Sequence, residues 1–525
     1  MPATRHELHY GDRVVRCFAE RPPTVDAMLR AAMARNPAGT ALVLGQTRIA
    51  YAELGYIVER IAGNLAANGF AAGDRLALLL GNRLEFAYLA LAAARLGLIA
   101  VPLNPRQRRP ETEYMLTQSG AKGLVFDPAL AEHIPPADAV PALEQRVALG
   151  SAAFAALLAP AAAPARTVAE EDPFCIVYTS GTTGRPKGAV LTHLGAIHAA
   201  MQYEAGMALG SGEVSLMAVP INHVTGLLAN FLTMLRVAGT TVFLPEFKAR
   251  QFLEVAERER VTHTVIVPAM YNLCLLQVDF ARFDLRRWRI GGFGGAPMPE
   301  ATIARLAAQL PQMSLVNIYG STETTGPVTL LPPGDVTQHP HSVGKALPCA
   351  DILIVDDEGR EVPAGTAGEV WVGGPMIVPG YWQNEEATRT GFAGGYWRSG
   401  DIGSVDAEGY LRIFDRKKDM INRAGYKVYC IEVENVLSHH PGVVECAVVG
   451  KPDPVLGERV HAFVVPRSPP PGDADLRGFC AERLSDYKVP DSFTFLDQAL
   501  PRNAAGKLQK GTLRAAIQQE MARQA

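Results

Sequence analysis

Three strings of residues in this chain of 525 amino acids could do chemistry on a phosphorylated small molecule. The first is Tyr178-Thr179-Ser180-Gly181-Thr182-Thr183-Gly184-Arg185-Pro186-Lys187-Gly188, which follows the apolar run Phe174–Val177. Its glycines let backbone N–H groups approach an anion closely, and its hydroxyls and lysine add donors and charge. A nucleotide phosphate is the natural ligand. It is not a Walker A loop, because its lysine follows Pro186 and no Gly-Lys-Ser/Thr stands there. Composition alone would also allow an ordinary flexible turn. The second string is Asn317-Ile318-Tyr319-Gly320-Ser321-Thr322-Glu323. An aromatic face can stack on a base, a threonine hydroxyl can reach a phosphate, and a carboxylate can hold Mg²⁺ against phosphate oxygens. Standing alone, it could equally be a strand end and a glycine turn carrying a solvated acid. The third is Pro501-Arg502-Asn503-Ala504-Ala505-Gly506-Lys507-Leu508. A compact ammonium on a glycine turn can serve an anionic group, although a lysine there is by itself most often a solvated surface charge.

Weaker signals accompany these. Gly291-Gly292-Phe293-Gly294-Gly295-Ala296-Pro297 reads as a glycine-rich turn after a strand at Trp288–Ile290. Asp401, in Tyr396-Trp397-Arg398-Ser399-Gly400-Asp401, offers a carboxylate that suits a vicinal diol. His223 lies in Pro220-Ile221-Asn222-His223-Val224-Thr225-Gly226, where a lone histidine could be a satisfied core residue.

The elements that must position these residues follow an α/β rhythm. Thr24 is placed as the N-cap of a helix through Ala34, with Asp26 in its first turn. A hairpin is expected at Ala41–Leu44 and Arg48–Tyr51 around Gly45-Gln46. Leu54, Val58, Ile61 and Leu65 give helical spacing from Tyr51 to Ala67, and Arg75–Leu80 reads as a short buried strand. Phe86 to Leu103 is apolar but interrupted by Arg95, Gly97 and Pro102, so it reads as a buried helix running into a strand rather than a membrane span. This alternation argues for largely parallel sheets. Residues 127–170, rich in Ala and Pro, read as poorly packed connection. After a strand at Tyr410–Phe414, the charge run Asp415-Arg416-Lys417-Lys418-Asp419 marks a boundary. Beyond it a small α/β unit is expected: helix Ile431–Leu437, strands Val443–Val449 and Arg459–Val465, a turn at Ser468–Pro471 and helix Ala474–Leu484.

Composition sets limits. Hydrophobic residues make up 48% and charged residues 20%, which permits a sizeable core. The net charge of −3 argues against a protein built mainly to bind nucleic acid. Seven scattered cysteines with no CxxC pair argue against a disulfide framework or a zinc site and for a reducing compartment. No signal-peptide core and no terminal Ser-Lys-Leu are seen, so a cytoplasmic location is expected.

Taken in order, these blocks resemble the adenylate-forming superfamily of acyl- and aryl-CoA ligases, luciferases and peptide-synthetase adenylation domains, over about residues 24 to 516. The resemblance implies an α/β fold: a large N-terminal domain of stacked mixed sheets flanked by helices with a β-barrel-like subdomain (1–414), a hinge (415–419) and a small mobile α+β C-terminal domain (420–525). It implies ATP, Mg²⁺ and coenzyme A as co-substrates and cofactors. Thr179, Ser180, Gly181, Thr182, Thr183, Lys187, Gly295, Ala296, Pro297, Tyr319, Gly320, Ser321, Thr322, Asp401, Arg416 and Lys507 would bind ATP or AMP, and Glu323 the metal. Lys507, Thr322 and His223 would be catalytic. Asn222, His223, Val224, Gly226, Leu227, Gly294, Gly320 and Pro327 would line the acyl pocket. Ala424, Gly425 and Tyr426 would line the pantetheine tunnel, and Lys418 would be the pivot. Gly368-Glu369-Val370 and Gly380-Tyr381-Trp382 match a structural block to which no chemistry is assigned.

Two departures from the family pattern stand out. Asn222 replaces the usual aromatic before the histidine and makes the pocket more polar. Ala424 replaces the usual glycine, which a methyl group should tolerate only if φ stays negative there. The implied reaction is ATP-dependent acid:CoA ligation through an acyl-adenylate. Small and apolar residues in the pocket blocks, with no Arg or Lys, point to an aromatic or short-to-medium-chain monocarboxylic acid. The alternatives are an enzyme loading a separate carrier protein and a catalytically inactive nucleotide sensor.

Overall fold

The computed structural model describes residues 2–179, 185–502 and 508–524. The chain divides into two compact units. The first comprises Met1–Ala296, Ala304–Ile352 and Trp371–Arg398, and the second Pro297–Ile303, Leu353–Val370 and Ser399–Ala525.

Two large sheets build the first unit, beside the antiparallel pair Thr4–His9 and Arg13–Phe18. One has six strands in the order Lys187–Thr192, Pro173–Thr179, Ile99–Leu103, Arg75–Leu79, Gly123–Phe126 and Gln145–Ala148. They are parallel except for the hairpin made by the first two. Parallel strands are covered on both faces, and the sequence obeys: Leu76 and Leu78 enter one core, Ala77 and Leu79 another. In the other sheet, Thr40–Leu44, Thr240–Phe243, Val214–Met217, His263–Ile266, Ile290–Gly294 and Ser314–Gly320 run parallel. Antiparallel Thr47–Ala50 flanks one side, and Pro327–Leu330 with Gly344–Ala346 the other. Strands Asp351–Val355, Gly368–Gly373, Tyr396–Val405 and Tyr410–Arg416 pair in that order.

Helices follow their sequence signals closely. Thr24 caps Val25–Arg35, its side chain accepting from the Ala27 N–H, and the second helix spans Tyr51–Ala67. All residues of Leu84–Leu96 but Glu85 are buried, and Arg95 is kept there by Asp26 and Glu59. A helix apolar all round must be enclosed. Gly97, at φ +70°, ends it and turns the chain into Ile99–Leu103.

The second unit carries a sheet in the order Tyr426–Val428, Ile421–Arg423, Gly457–Pro466 and Val443–Asp453, with Ser492–Phe495 added parallel to Gly457–Pro466. Alternation sorts its two faces. Val448, Ala462 and Val464 pack with helices Cys430–Ser438 and Asp473–Ala481, while Ala447, Val449 and Phe463 pack with Leu513 and Ile517 of helix Lys510–Gln524.

Several expectations are corrected. The strand expected at Trp288–Ile290 is Ile290–Gly294, so the glycines are the strand itself. A Cβ at Gly291 would lie 2.9 Å from the Tyr271 hydroxyl, and one at Gly294 2.5 Å from the Ile318 carbonyl oxygen. Residues 127–170 are better packed than their composition implies: Val140, Leu143, Phe154 and Leu157 are buried, and Gln145–Ala148 is a sheet edge. The strand at 410 runs on through Asp415 and Arg416. All seven cysteines are free, and all but the half-buried Cys446 are buried. Among the described residues no helix is long and apolar enough to cross a membrane.

Candidate active site

In the first unit, the expected phosphate loop joins two strands of a hairpin in which Thr179 faces Lys187. Ser180, Gly181, Thr182 and Thr183 lie outside the described residues. Lys187 opens the return strand, and its Nζ stands 5.2 Å from the centre of the Tyr381 ring.

The strand Ser314–Gly320 delivers the second motif. Gly320 is required at its end, since a Cβ there would lie 2.1 Å from the Gly326 carbonyl oxygen. The chain then closes a tight turn. The Thr324 hydroxyl accepts from the Ser321 N–H at 2.8 Å, the Thr325 N–H donates to the Thr322 carbonyl at 2.9 Å, and Thr325 takes φ +55°. Within this turn Glu323 is 8% exposed. The Ser321 hydroxyl donates to its Oε2 at 2.5 Å, and the Tyr381 hydroxyl donates to its Oε1 at 2.9 Å. Burial and the neighbouring Glu323 push the Tyr381 phenol well above its ordinary range, so it keeps its proton. Each carboxylate oxygen has spent one lone pair and retains acceptor capacity. One carboxylate with spare lone pairs fits Mg²⁺, a hard cation usually held by one or two carboxylates plus phosphate oxygens. Tyr319 and Thr322 are partly exposed, and Gly295, at φ +76°, and Ala296 are exposed beyond their strand.

His223 and its neighbours form a second cluster in this unit. Burial holds the imidazole pKa down to about 4, so it is neutral at pH 7. Its Nε2 lies 3.5 Å from Asn104 Nδ2, at the end of strand Ile99–Leu103. Asn222 is buried. Directly after comes a π-helix, Thr225–Leu232, a form that is rare outside functional sites. Asn230 holds it open. Its Oδ1 accepts from the Ser215 hydroxyl and the Val265 N–H, and its Nδ2 donates to the carbonyls of Thr225 and Val265. Gly226 lets this helix start against the preceding loop, because a Cβ would lie 2.3 Å from the Pro220 carbonyl oxygen. Leu227 and Pro327 are buried and Val224 and Gly294 partly so.

In the second unit, Asp401 and Arg416 face each other across antiparallel strands, with Arg416 Nε 3.1 Å from Asp401 Oδ1. Gly400, at φ +68°, allows the Ser399 hydroxyl to accept from the Asp401 N–H while donating to the Val370 carbonyl. Asp401 is therefore buried and preset. Lys418 is exposed, between Asp415, which accepts from the N–H groups of Arg416 and Cys430, and Asp419, paired with Arg514. Ala424 overturns the expectation of a negative φ. It stands at +51° and Gly425 at +89°, in a two-residue turn whose flanking Arg423 and Tyr426 are paired. Turns of this primed kind require positive φ at both central residues. Tyr426 is exposed and stacks on Tyr487. Lys507 lies outside the described residues; Arg502 and Leu508, on either side, form an antiparallel bridge.

Sequence reading missed Tyr381, placed in a block given no chemistry, together with Asn104, Asn230 and the π-helix. Only Asn230, an amide inside the apolar run Leu227–Leu232, left a local signal. One other group, Glu7, His9 and Cys17, brings possible ligand atoms within 4.8 Å of one another. There the Arg21 guanidinium already holds both Glu7 oxygens, so an ion-pair network, not a cation, accounts for it.

The model of the AMP-binding enzyme family matches residues 29–382, and that of the AMP-binding enzyme C-terminal domain matches residues 432–507. The chain is 37% identical over 474 residues to long-chain-fatty-acid–CoA ligase FadD13 of Mycobacterium tuberculosis, covering 89% of this chain and 93% of that one. It is 37% identical over 480 residues to a feruloyl-CoA synthase of Amycolatopsis, covering 91% and 96%. Among solved structures it resembles the anthranilate CoA ligase AuaEII in complex with anthranoyl-AMP, with TM-score 0.90 and 27% identity over 96% of this chain and 99% of that one.

Proposed function

Because the chain belongs to the AMP-binding enzyme family, as an ATP-dependent, AMP-forming acid–thiol ligase, we propose how its residues divide that reaction. The substrate carboxylate attacks the α-phosphorus of ATP and pyrophosphate leaves; CoA thiolate then attacks the acyl carbon and AMP leaves. Positioning and charge stabilisation carry both steps, with no covalent enzyme intermediate.

Glu323 holds Mg²⁺, which when bound neutralises charge on the leaving pyrophosphate. Thr322 donates to the α-phosphate, Tyr319 stacks on adenine, and Ser321 orients Glu323. Thr179, Ser180, Gly181, Thr182, Thr183 and Lys187 bind the outer phosphates, and Gly295, Ala296 and Pro297 border the base. Asp401, kept in place by Arg416 and Ser399, accepts from the ribose hydroxyls. Lys507 neutralises the pentavalent phosphorus in the first step. Residues 420–525 reorient about Lys418 for the second, when Ala424, Gly425 and Tyr426 flank pantetheine. The carrying observation is the buried Glu323 carboxylate, gripped by two hydroxyls and one tyrosine away from Lys187.

The acid is a monocarboxylate with an apolar or aromatic body, lying against Asn222, His223, Val224, Gly226, Leu227, Gly294, Gly320 and Pro327. These residues include no Arg or Lys, and His223 is neutral, so a second carboxylate would find no partner. The relatives named for long-chain fatty acids and for ferulate support this class. A cytoplasmic site of action fits the seven unpaired cysteines.

Release of AMP and pyrophosphate from ATP, Mg²⁺ and CoA, across aromatic, aliphatic and dicarboxylic acids, tests the reading. CoA-dependent turnover with a monocarboxylate, lost in adenylation for Lys507→Ala, is expected. Turnover restricted to dicarboxylates, or pyrophosphate exchange with no CoA-dependent step, would refute the substrate or the acceptor.

A further inference from the structure

We propose that Tyr381 is a positioning residue for the metal-binding carboxylate, its hydroxyl tying Glu323 to the frame of the phosphate hairpin while its ring seats Lys187. The inference rests on the reading of Glu323 as the Mg²⁺ ligand.

Glu323 accepts from two hydroxyls, and they differ in what they are attached to. Ser321 belongs to the same turn and moves with the carboxylate it holds. Tyr381 lies 58 residues further along the chain. Its backbone is stitched to the strand that Lys187 opens: the Val190 N–H donates to the Gly380 carbonyl at 3.1 Å, the Trp382 N–H donates to the Gly188 carbonyl at 2.7 Å, and Ala189 and Tyr381 form an antiparallel bridge between them. The residue cannot drift, because its ring meets Phe392 edge-on at 5.7 Å and its backbone N–H donates to the Thr388 hydroxyl at 2.9 Å. Gly380 must be glycine for this fit, since a Cβ would lie 2.6 Å from Thr388. The tyrosine thus connects two segments that share no other side-chain bond among the described residues named here: the strand leaving the phosphate loop and the turn carrying the carboxylate. A hydroxyl that orients a carboxylate ligand from outside the coordination sphere supports metal affinity, and its loss typically costs 10- to 100-fold.

The test is Mn²⁺ binding to the purified full-length enzyme with ATP, without acid or CoA, read from the free-ion electron paramagnetic resonance signal. ATP affinity is measured in parallel by calorimetry in excess EDTA. Tyr381→Phe removes the hydroxyl and keeps the ring over Lys187. It should weaken Mn²⁺ binding about 10- to 100-fold and leave metal-free ATP affinity and melting temperature unchanged. Tyr381→Leu should weaken metal-free ATP binding as well. In turnover, Tyr381→Phe should raise the Mg²⁺ concentration for half-maximal adenylation, with the maximal rate regained at high Mg²⁺ and the KM for the acid unmoved. Wild-type Mn²⁺ binding by Tyr381→Phe, alongside its loss in Glu323→Gln, would overturn the positioning role and leave the reading of Glu323 standing. Wild-type Mn²⁺ binding by Glu323→Gln would sink both. Loss of metal-free ATP binding in Tyr381→Phe would make the hydroxyl a nucleotide contact instead.

Discussion

The turn at residues 321–326 and the turn at Ala424–Gly425 each place a residue other than glycine at positive φ, Thr325 at +55° and Ala424 at +51°, in opposite surroundings. Thr325 is fully buried in a turn crossed by side-chain and backbone hydrogen bonds, and its hydroxyl has no partner among the described residues. Ala424 sits on an exposed hairpin tip, held mainly by its N–H to the Leu456 carbonyl. Positive φ costs an L-residue roughly 1–2 kcal/mol in either place. In the first turn the surroundings over-determine the backbone, as expected where geometry serves chemistry. In the second, the turn type alone imposes it.

The same contrast extends to the units that carry the turns, and acid should expose it most. Burial holds His193, His198, His223 and His263 of the first unit to pKa values of about 4, and does the same to His461 among the described residues of the second. These histidines are neutral when folded and take up protons near pH 6.5 when unfolded. Between about pH 6.5 and 4 the unfolded chain binds more protons, so stability falls as pH falls, by up to about 1.4 kcal/mol per pH unit for each histidine. Urea melts followed by hydrogen exchange from pH 7 to 5 should show the first unit losing stability more steeply. Equal slopes would erase the contrast.

Next in size, Glu323→Gln should lower the rate of adenylation by about 10²- to 10³-fold while ATP binding in EDTA persists. A residual rate near wild type would mean that the locked turn serves stability alone. Gly320→Ala, which drives a methyl group into the Gly326 carbonyl, should cost about 3 kcal/mol in denaturant melts and should lower activity with it. At the small end, Ala424→Gly should stabilise by a few tenths to about 1 kcal/mol, the relief of αL strain less the added backbone entropy. Ala424→Val should lose at least as much. A destabilised glycine variant would show that the methyl group is packed, not strained.

Much of this was legible beforehand. The helix at Tyr51–Ala67 and the cap at Thr24 follow from spacing and cap chemistry, which act within a few residues. Asp401 and Arg416 announce themselves as motif residues, and strand pairing brings them together. What escaped is tertiary in origin. Glycines read as turn-formers became strand Ile290–Gly294 because Tyr271 and Ile318 press on them from neighbouring elements. Tyr381 meets Glu323 because Gly188–Val190 pairs with 380–382 and the Val378 N–H donates to the Glu323 carbonyl, and no local pattern encodes that. The sign of φ at Ala424 depends on a two-residue loop length that the composition of the hairpin did not disclose.

The unpaired cysteines have a practical side. Burial pushes the thiols of Cys17, Cys274 and Cys349 up to about 12 and those of Cys430 and Cys446 well above their usual range, so little thiolate exists at neutral pH. The wild-type chain is therefore close to a silent background for maleimide chemistry. A cysteine placed at exposed Val455 would carry a fluorophore alone, and its emission could follow the small unit through a catalytic cycle without first stripping the seven native thiols.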